Sequence, residues 1–159
     1  MTLKNVLCST TIIVLTVAVT ALVLRFIVFG QTKIADQSAI DQRTTVIVTE
    51  TERAFILSEM RAMLVGTQRL LQASLNKDMP SVVETAQSLG MKTMGEVPQG
   101  LMGKLPLAFK QLGLSVHHAF DQIALDAKDL GDNQHTLFQL QEMLQSCVAC
   151  HASYKLPTD

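Results

Sequence analysis

The sequence predicts an all-α protein, an antiparallel four-helix bundle with one N-terminal transmembrane helix. Four segments beyond residue 50 repeat apolar residues at the three-and-four spacing of an amphipathic helix. No segment alternates apolar and polar residues as a half-buried strand would. Ahead of them, Val6 to Leu24 is an uncharged run of nineteen residues, enough at helical rise to span a hydrocarbon core.

Residues 1–30 therefore read as a membrane anchor, with Arg25 followed by a second short apolar run, Phe26 to Phe29. A cleaved signal peptide is the alternative, since Val19-Thr20-Ala21 resembles a small-residue cleavage site and would leave a mature chain beginning near Leu22. Cys8 precedes the apolar run, so it does not form a lipoprotein signal. Lys4 and the amino terminus balance Arg25 and Lys33, and the positive-inside rule does not orient the segment. Residues 31–50 form a polar connector with a β-branched run at Thr44 to Thr49, either a stalk or a continuation of the helix.

The main domain is expected over residues 51–159. Its first helix spans about Thr51 to Leu75, with Leu57, Met60, Leu64, Thr67 and Leu71 as the predicted buried stripe. Asn76-Lys77-Asp78 ends it. Asp78 then caps a second helix, where Pro80 in the first turn costs no hydrogen bond. Val82, Val83, Ala86 and Leu89 give that helix its apolar face, and Gly90 stops it. Residues 90–105 hold four glycines and Pro98 and read as the long loop of the domain. A third helix runs from Pro106 to Leu130 on a stripe of Phe109, Leu112, Val116, Phe120, Ile123 and Ala127, and Gly131 terminates it. Asp132 or Asn133 caps a fourth, with Leu137, Leu140, Leu144, Cys147, His151 and Tyr154 in line.

Composition excludes one class of partner. Net charge is −1 and aromatic residues make up 4% of the chain, with no basic patch interleaved with aromatics, so nucleic acid is not expected. Eight methionines read mostly as adaptable core filler.

Chemistry concentrates near the C-terminus, in Cys147-Val148-Ala149-Cys150-His151, a CxxCH run. That pattern is the attachment signature of a c-type haem. Two thiols three positions apart add to the vinyl groups at one porphyrin edge, and the next histidine donates a nitrogen to the iron. A helical turn carries all three residues around one side. A thioredoxin-like pair would open a helix in a βαβ setting, and a structural zinc site would need two more ligands. Neither context is visible. No Ser/His/Asp set, second metal cluster or phosphate loop accompanies the motif, so an enzyme is not expected.

His117 and His118 are adjacent and point about 100° apart on a helix, so they cannot chelate one metal together. His118 falls opposite the apolar stripe and reads as solvated. His117 borders the stripe and reads as a core-edge histidine, becoming a metal ligand only if the third helix faces the haem. His135 stands alone near the start of the fourth helix.

A haem motif at the end of a four-helix chain resembles the class II cytochromes c, the cytochrome c-prime group and its low-spin relatives, over about residues 51–156. The resemblance implies one covalent haem c between the first and last helices, with His151 as the fifth iron ligand. Tyr154-Lys155 matches the aromatic-then-basic pair that usually follows the motif, although the family more often has arginine at Lys155. It also implies a sixth position that is open or filled by a first-helix methionine. Met60 is the first candidate because it lies on the predicted stripe, and Met63, about 60° away, is the second. Arg61 and Lys155 are candidate contacts to the haem propionates.

The expected function is therefore single-electron transfer by a membrane-anchored periplasmic cytochrome. The alternative is a five-coordinate haem protein that binds or senses nitric oxide or carbon monoxide. Redox proteins of the membrane or periplasm are the expected partners, and a homodimer is compatible with the sequence. Haem attachment of this kind resembles that of exported bacterial cytochromes. It puts the expected location at the bacterial cytoplasmic membrane with the haem domain in the periplasm, or free in the periplasm if the leader is cleaved.

Overall fold

The computed structural model describes residues 3–25 and 41–157. The apolar run at 26–29 and the connector up to residue 40 lie outside the described residues, as does the side chain of Cys8. The chain divides into two compact units, Met1–Gln42 and Arg43–Asp159.

In the first unit, α1 is the helix Leu3–Val23. Its exposed apolar side chains include Ile12, Ile13, Val14 and Leu15. The hydroxyls of Thr16 and Thr20 donate to the carbonyls of Ile12 and Thr16, each at 2.8 Å. Among the described residues no helix is long and apolar enough to cross a membrane, which corrects the expectation of a single-pass anchor in the bacterial cytoplasmic membrane. Helix α1 carries Thr10, Thr11, Thr16 and Thr20 among its apolar residues.

The second unit is built from helices, as expected. After a short strand β1 (Thr44–Thr45), it contains α2 (Glu50–Leu75), α3 (Met79–Gln87), the single turn α4 (Leu101–Lys104), α5 (Leu107–Leu130) and α6 (Asn133–Ser153). Strand β2 (Tyr154–Lys155) closes it.

Each helix boundary has a local cause. Thr49 begins α2 with a reciprocal cap: its hydroxyl accepts from the Glu52 N–H at 3.3 Å, and its own N–H donates to the Glu52 carboxylate at 2.8 Å. Asp78 caps α3 by accepting from the Ser81 N–H at 3.2 Å. Gly131, at φ +63°, ends α5 in the left-handed conformation that costs glycine nothing. Asp132 then caps α6 through the Gln134 N–H at 2.8 Å.

Helix α5 packs against α3 and α6, and α2 packs against the same two helices. Their main core gathers Leu70, Val82, Ala86, Val116, Phe120, Ile123, Leu140 and Met143. A second cluster forms where α4 and β1 meet the start of α2 and α5, around Val46, Ile56, Leu101, Leu105 and Phe109.

The expected stripe on α2 is corrected. The residues of α2 that are buried are Glu52, Ile56, Gly66, Leu70, Ala73 and Ser74. Leu64 and Leu71 remain 69% and 45% exposed. Helix α2 is apolar over more than one face, and periodicity alone does not say which face meets protein. Gly66 is required where α2 crosses Leu89, because a Cβ there would overlap the Leu89 Cδ1 methyl. Gly66→Ala should destabilise the protein by about 1–3 kcal/mol through this overpacking, despite alanine's better helix propensity. Chemical denaturation measures it, and an unchanged midpoint would refute the close approach.

Three further departures concern the ends of the domain. Residues 44–45 form neither a stalk nor a helix, because Thr44 and Thr45 pair in parallel with Tyr154 and Lys155. Val46 is almost fully buried beneath that pairing. Tyr154 lies in β2, one residue beyond the end of α6. The expected loop at 90–105 carries a 3₁₀ segment, Met91–Glu96, as well as α4.

An ion pair ties α4 down. Lys104 Nζ lies 2.7 and 2.9 Å from the two oxygens of the Glu52 carboxylate. Lys104 and then the Thr49 N–H hold the Glu52 carboxyl below its ordinary range. A carboxyl with a depressed folded pKa stabilises the fold above its unfolded value and loses that contribution as pH falls through the folded value. Stability should therefore decline on acidification below about pH 4, near the ordinary glutamate value. In Glu52→Gln, denaturation midpoints compared between pH 6 and pH 3 should fall less steeply than in the parent. Equal slopes would rule the pair out as a contributor.

Candidate functional site

The motif cysteines emerge from the last two turns of α6, at one wall of a cavity of about 490 Å³. This volume lies within the range of about 300–1,000 Å³ typical of small-molecule and cofactor sites. Cys147, Cys150 and His151 line it together. Opposite them α2 contributes Leu57, Met60, Met63, Leu64 and Thr67. Helix α5 supplies Phe109, His117 and Phe120, and Leu101 and Leu105 close one end.

Four of the five predicted stripe residues of α2 thus line this cavity, and Met60 also packs against the Ile56–Phe109 cluster. Leu71 is the exception. The sequence signal was real, but what it marked was a wall. Met60 belongs to the Phe109 end of the cavity, where Cys150 also packs. Met63 belongs to the Phe120 end, with Cys147. The fold therefore brings both candidate methionines to the motif, together with Arg61, whose side chain is otherwise exposed. Lys155 is not among the lining residues. It sits in β2, where its carbonyl accepts the Val46 N–H at 2.9 Å.

The surroundings of the thiols bear on their chemistry. Burial pushes the Cys147 thiol up from its ordinary value. Burial, and then the neighbouring Cys147, does the same to Cys150. Both sit at the C-terminal end of a helix, where the dipole disfavours a thiolate, whereas reactive CxxC pairs use a helix N-terminus to lower the pKa. The geometry runs against a thioredoxin-like pair. Among the described residues no three His, Cys, Asp or Glu side chains gather into a group that could hold a metal ion.

Two contacts were missed by reasoning from sequence. Arg43 Nη1 donates to the His151 carbonyl at 3.2 Å across 108 residues, so a cation stands beside the motif histidine. Arg43 precedes a β-branched run, and nothing local points to the far end of the chain. His117 is 5% exposed and lines the cavity, with Nδ1 2.7 Å from the Leu89 carbonyl. The stripe on α5 placed it at a border only. His118 is exposed, as expected. His135 Nε2 pairs with Asp126 at 3.0 Å, tying α6 to α5 away from the cavity. Phe109 meets Tyr154 edge to face, with ring centroids 5.3 Å apart, and braces the chain just after the motif.

Two thiols and an imidazole on one wall of an apolar cavity are a donor set that fits a covalently held haem. No protein-family model, curated protein or solved structure matches the chain.

Proposed function

We propose that this protein is a c-type cytochrome that carries single electrons, with residues 51–159 arranged as an antiparallel four-helix bundle of the class II cytochrome c kind. The observation that carries this reading is the meeting of the complete CxxCH motif with the cavity-facing stripe of α2. An apolar stripe turned toward a cavity is the surface that a flat, apolar macrocycle covers. A haem held there supplies reversible one-electron chemistry between ferric and ferrous iron.

The protein's own residues set the terms of that chemistry. Cys147 and Cys150 would hold the haem through thioethers at its vinyl groups. His151 would ligate the iron. Met60 would ligate it as well, as a neutral thioether that favours ferrous iron and raises the potential. Arg61, on the cavity lining, would offer positive charge for the propionates, whereas Lys155 lies off that lining, and redox proteins are the partners. No side-chain set suggests catalysis beyond electron transfer.

The ferrous protein tests the assignment. Wild type should be low-spin and slow to take up carbon monoxide, because the Met60 sulfur must leave first. Met60→Ala should bind carbon monoxide readily, and Met63→Ala should behave as wild type. A high-spin wild type that binds carbon monoxide or nitric oxide at once would overturn the carrier and favour the gas-binding alternative.

A further inference from the structure

The cavity contains a nitrogen donor that the proposed ligand set does not use. His117 is almost fully buried on α5, on the cavity wall that also includes Val116 and Phe120. Its Nδ1 lies 2.7 Å from the Leu89 carbonyl. A carbonyl only accepts, so Nδ1 carries the hydrogen. The nearby Thr93 hydroxyl, 3.4 Å from Nδ1, is spent on the Gly90 carbonyl at 2.9 Å. In the neutral ring this fixes the lone pair on Nε2, which has no protein partner among the described residues. The fully buried side-chain atoms without a partner among the described residues are Arg53 Nε and Gln139 Oε1, so His117 Nε2 is reachable from the cavity that its residue lines.

The arrangement is that of metal-binding histidines, in which one ring nitrogen donates to a carbonyl and the other is held toward the metal. The lining also includes Thr67, which donates to the Met63 carbonyl at 2.8 Å, and Lys110, whose ammonium donates to the Met102 carbonyl at 3.2 Å. A neutral imidazole nitrogen with a lone pair is a common metal ligand. The cavity thus holds a soft sulfur at Met60 and a harder nitrogen at His117. Ferrous iron prefers the first and ferric iron the second.

We propose that His117 Nε2 is a second iron-binding nitrogen of this cavity, taken by ferric iron, while the Met60 sulfur is taken by ferrous iron. The proposal rests on the haem reading above. When iron gives one electron to a partner protein, the iron–sulfur bond opens and the iron–nitrogen bond forms from the imidazole lone pair. No proton moves, because Nδ1 keeps its hydrogen and the Leu89 carbonyl keeps its bond. Reduction reverses the exchange.

The test uses the full haem-loaded chain in both oxidation states, read by electron paramagnetic resonance and visible absorption. Ferric wild type should show a bis-imidazole low-spin signal and lack the sulfur-to-iron charge-transfer band. Ferrous wild type should show thioether ligation. His117→Gln, whose amide retains a hydrogen-bond donor, should lose the bis-imidazole signal in the ferric state, leave the ferrous spectrum unchanged and raise the reduction potential. If that variant fails to fold, the ferric spectrum of wild type decides alone. A haem-loaded wild type with the ferric sulfur band overturns this exchange and leaves the cytochrome standing. A chain that takes up no haem overturns both.

Discussion

Produced in a host that attaches haem, the protein should come out coloured and keep its haem through acidified organic solvent. Covalent thioethers at Cys147 and Cys150 resist conditions that strip a coordinated haem. Cys147→Ser or Cys150→Ser alone should retain haem through one bond, with a vinyl-shifted absorption band and lower yield. The double variant should release all of it to the solvent. His151→Ala should lower attachment and remove the fifth ligand, because no other imidazole adjoins the two thiols on α6. A denaturing gel stained for haem, with intact mass for the added group, reads each outcome. A colourless wild type from such a host, or complete extraction of its haem, would remove the basis of the proposed function.

The largest expected loss of stability lies at Phe120. Its side chain is fully buried where α3, α5 and α6 meet, and its ring also lines the cavity. Phe120→Ala should cost about 3–5 kcal/mol, combining lost burial with the void it leaves. For a domain of this size about 1 kcal/mol shifts Tm by roughly 4–8 °C, so the midpoint should fall by tens of degrees. Leu107 is 67% exposed on the same helix, and Leu107→Ala is the matching control with little change expected. Equal shifts in the two variants would mean that the core has been misplaced.

Local chemistry was legible in the sequence. The ends of the helices follow from capping residues and glycines within a few positions of each boundary, as at Asp78, Gly131 and Asp132. The stripe on α5 holds at Phe109, Val116, Phe120, Ile123 and Ala127, which are buried, while Leu112 is half-buried and lines the cavity. The CxxCH motif was legible without the fold, since its residues are close neighbours in the chain.

What the sequence could not decide involves choices between faces and distant segments. On α2, Ile56-Leu70-Ala73 and Leu57-Met60-Leu64 are both apolar rows. Only tertiary packing determined that Leu70 and Ala73 meet the main core, while Leu57, Met60 and Leu64 line the cavity together with Ile56. The apolar run in α1 suggested an anchor by hydropathy alone, and no described helix meets the length and apolarity of a membrane span. The pairing of Thr44–Thr45 with Tyr154–Lys155 unites two-residue strands too short for any periodicity, and it carries Arg43 to the His151 carbonyl. His117 reads as a border residue on its helix, and it becomes an oriented donor only because α3 ends at a carbonyl within reach of its ring. Helix periodicity and capping are set by neighbours in the chain, whereas each of these contacts depends on segments 28 to 108 residues apart meeting in space.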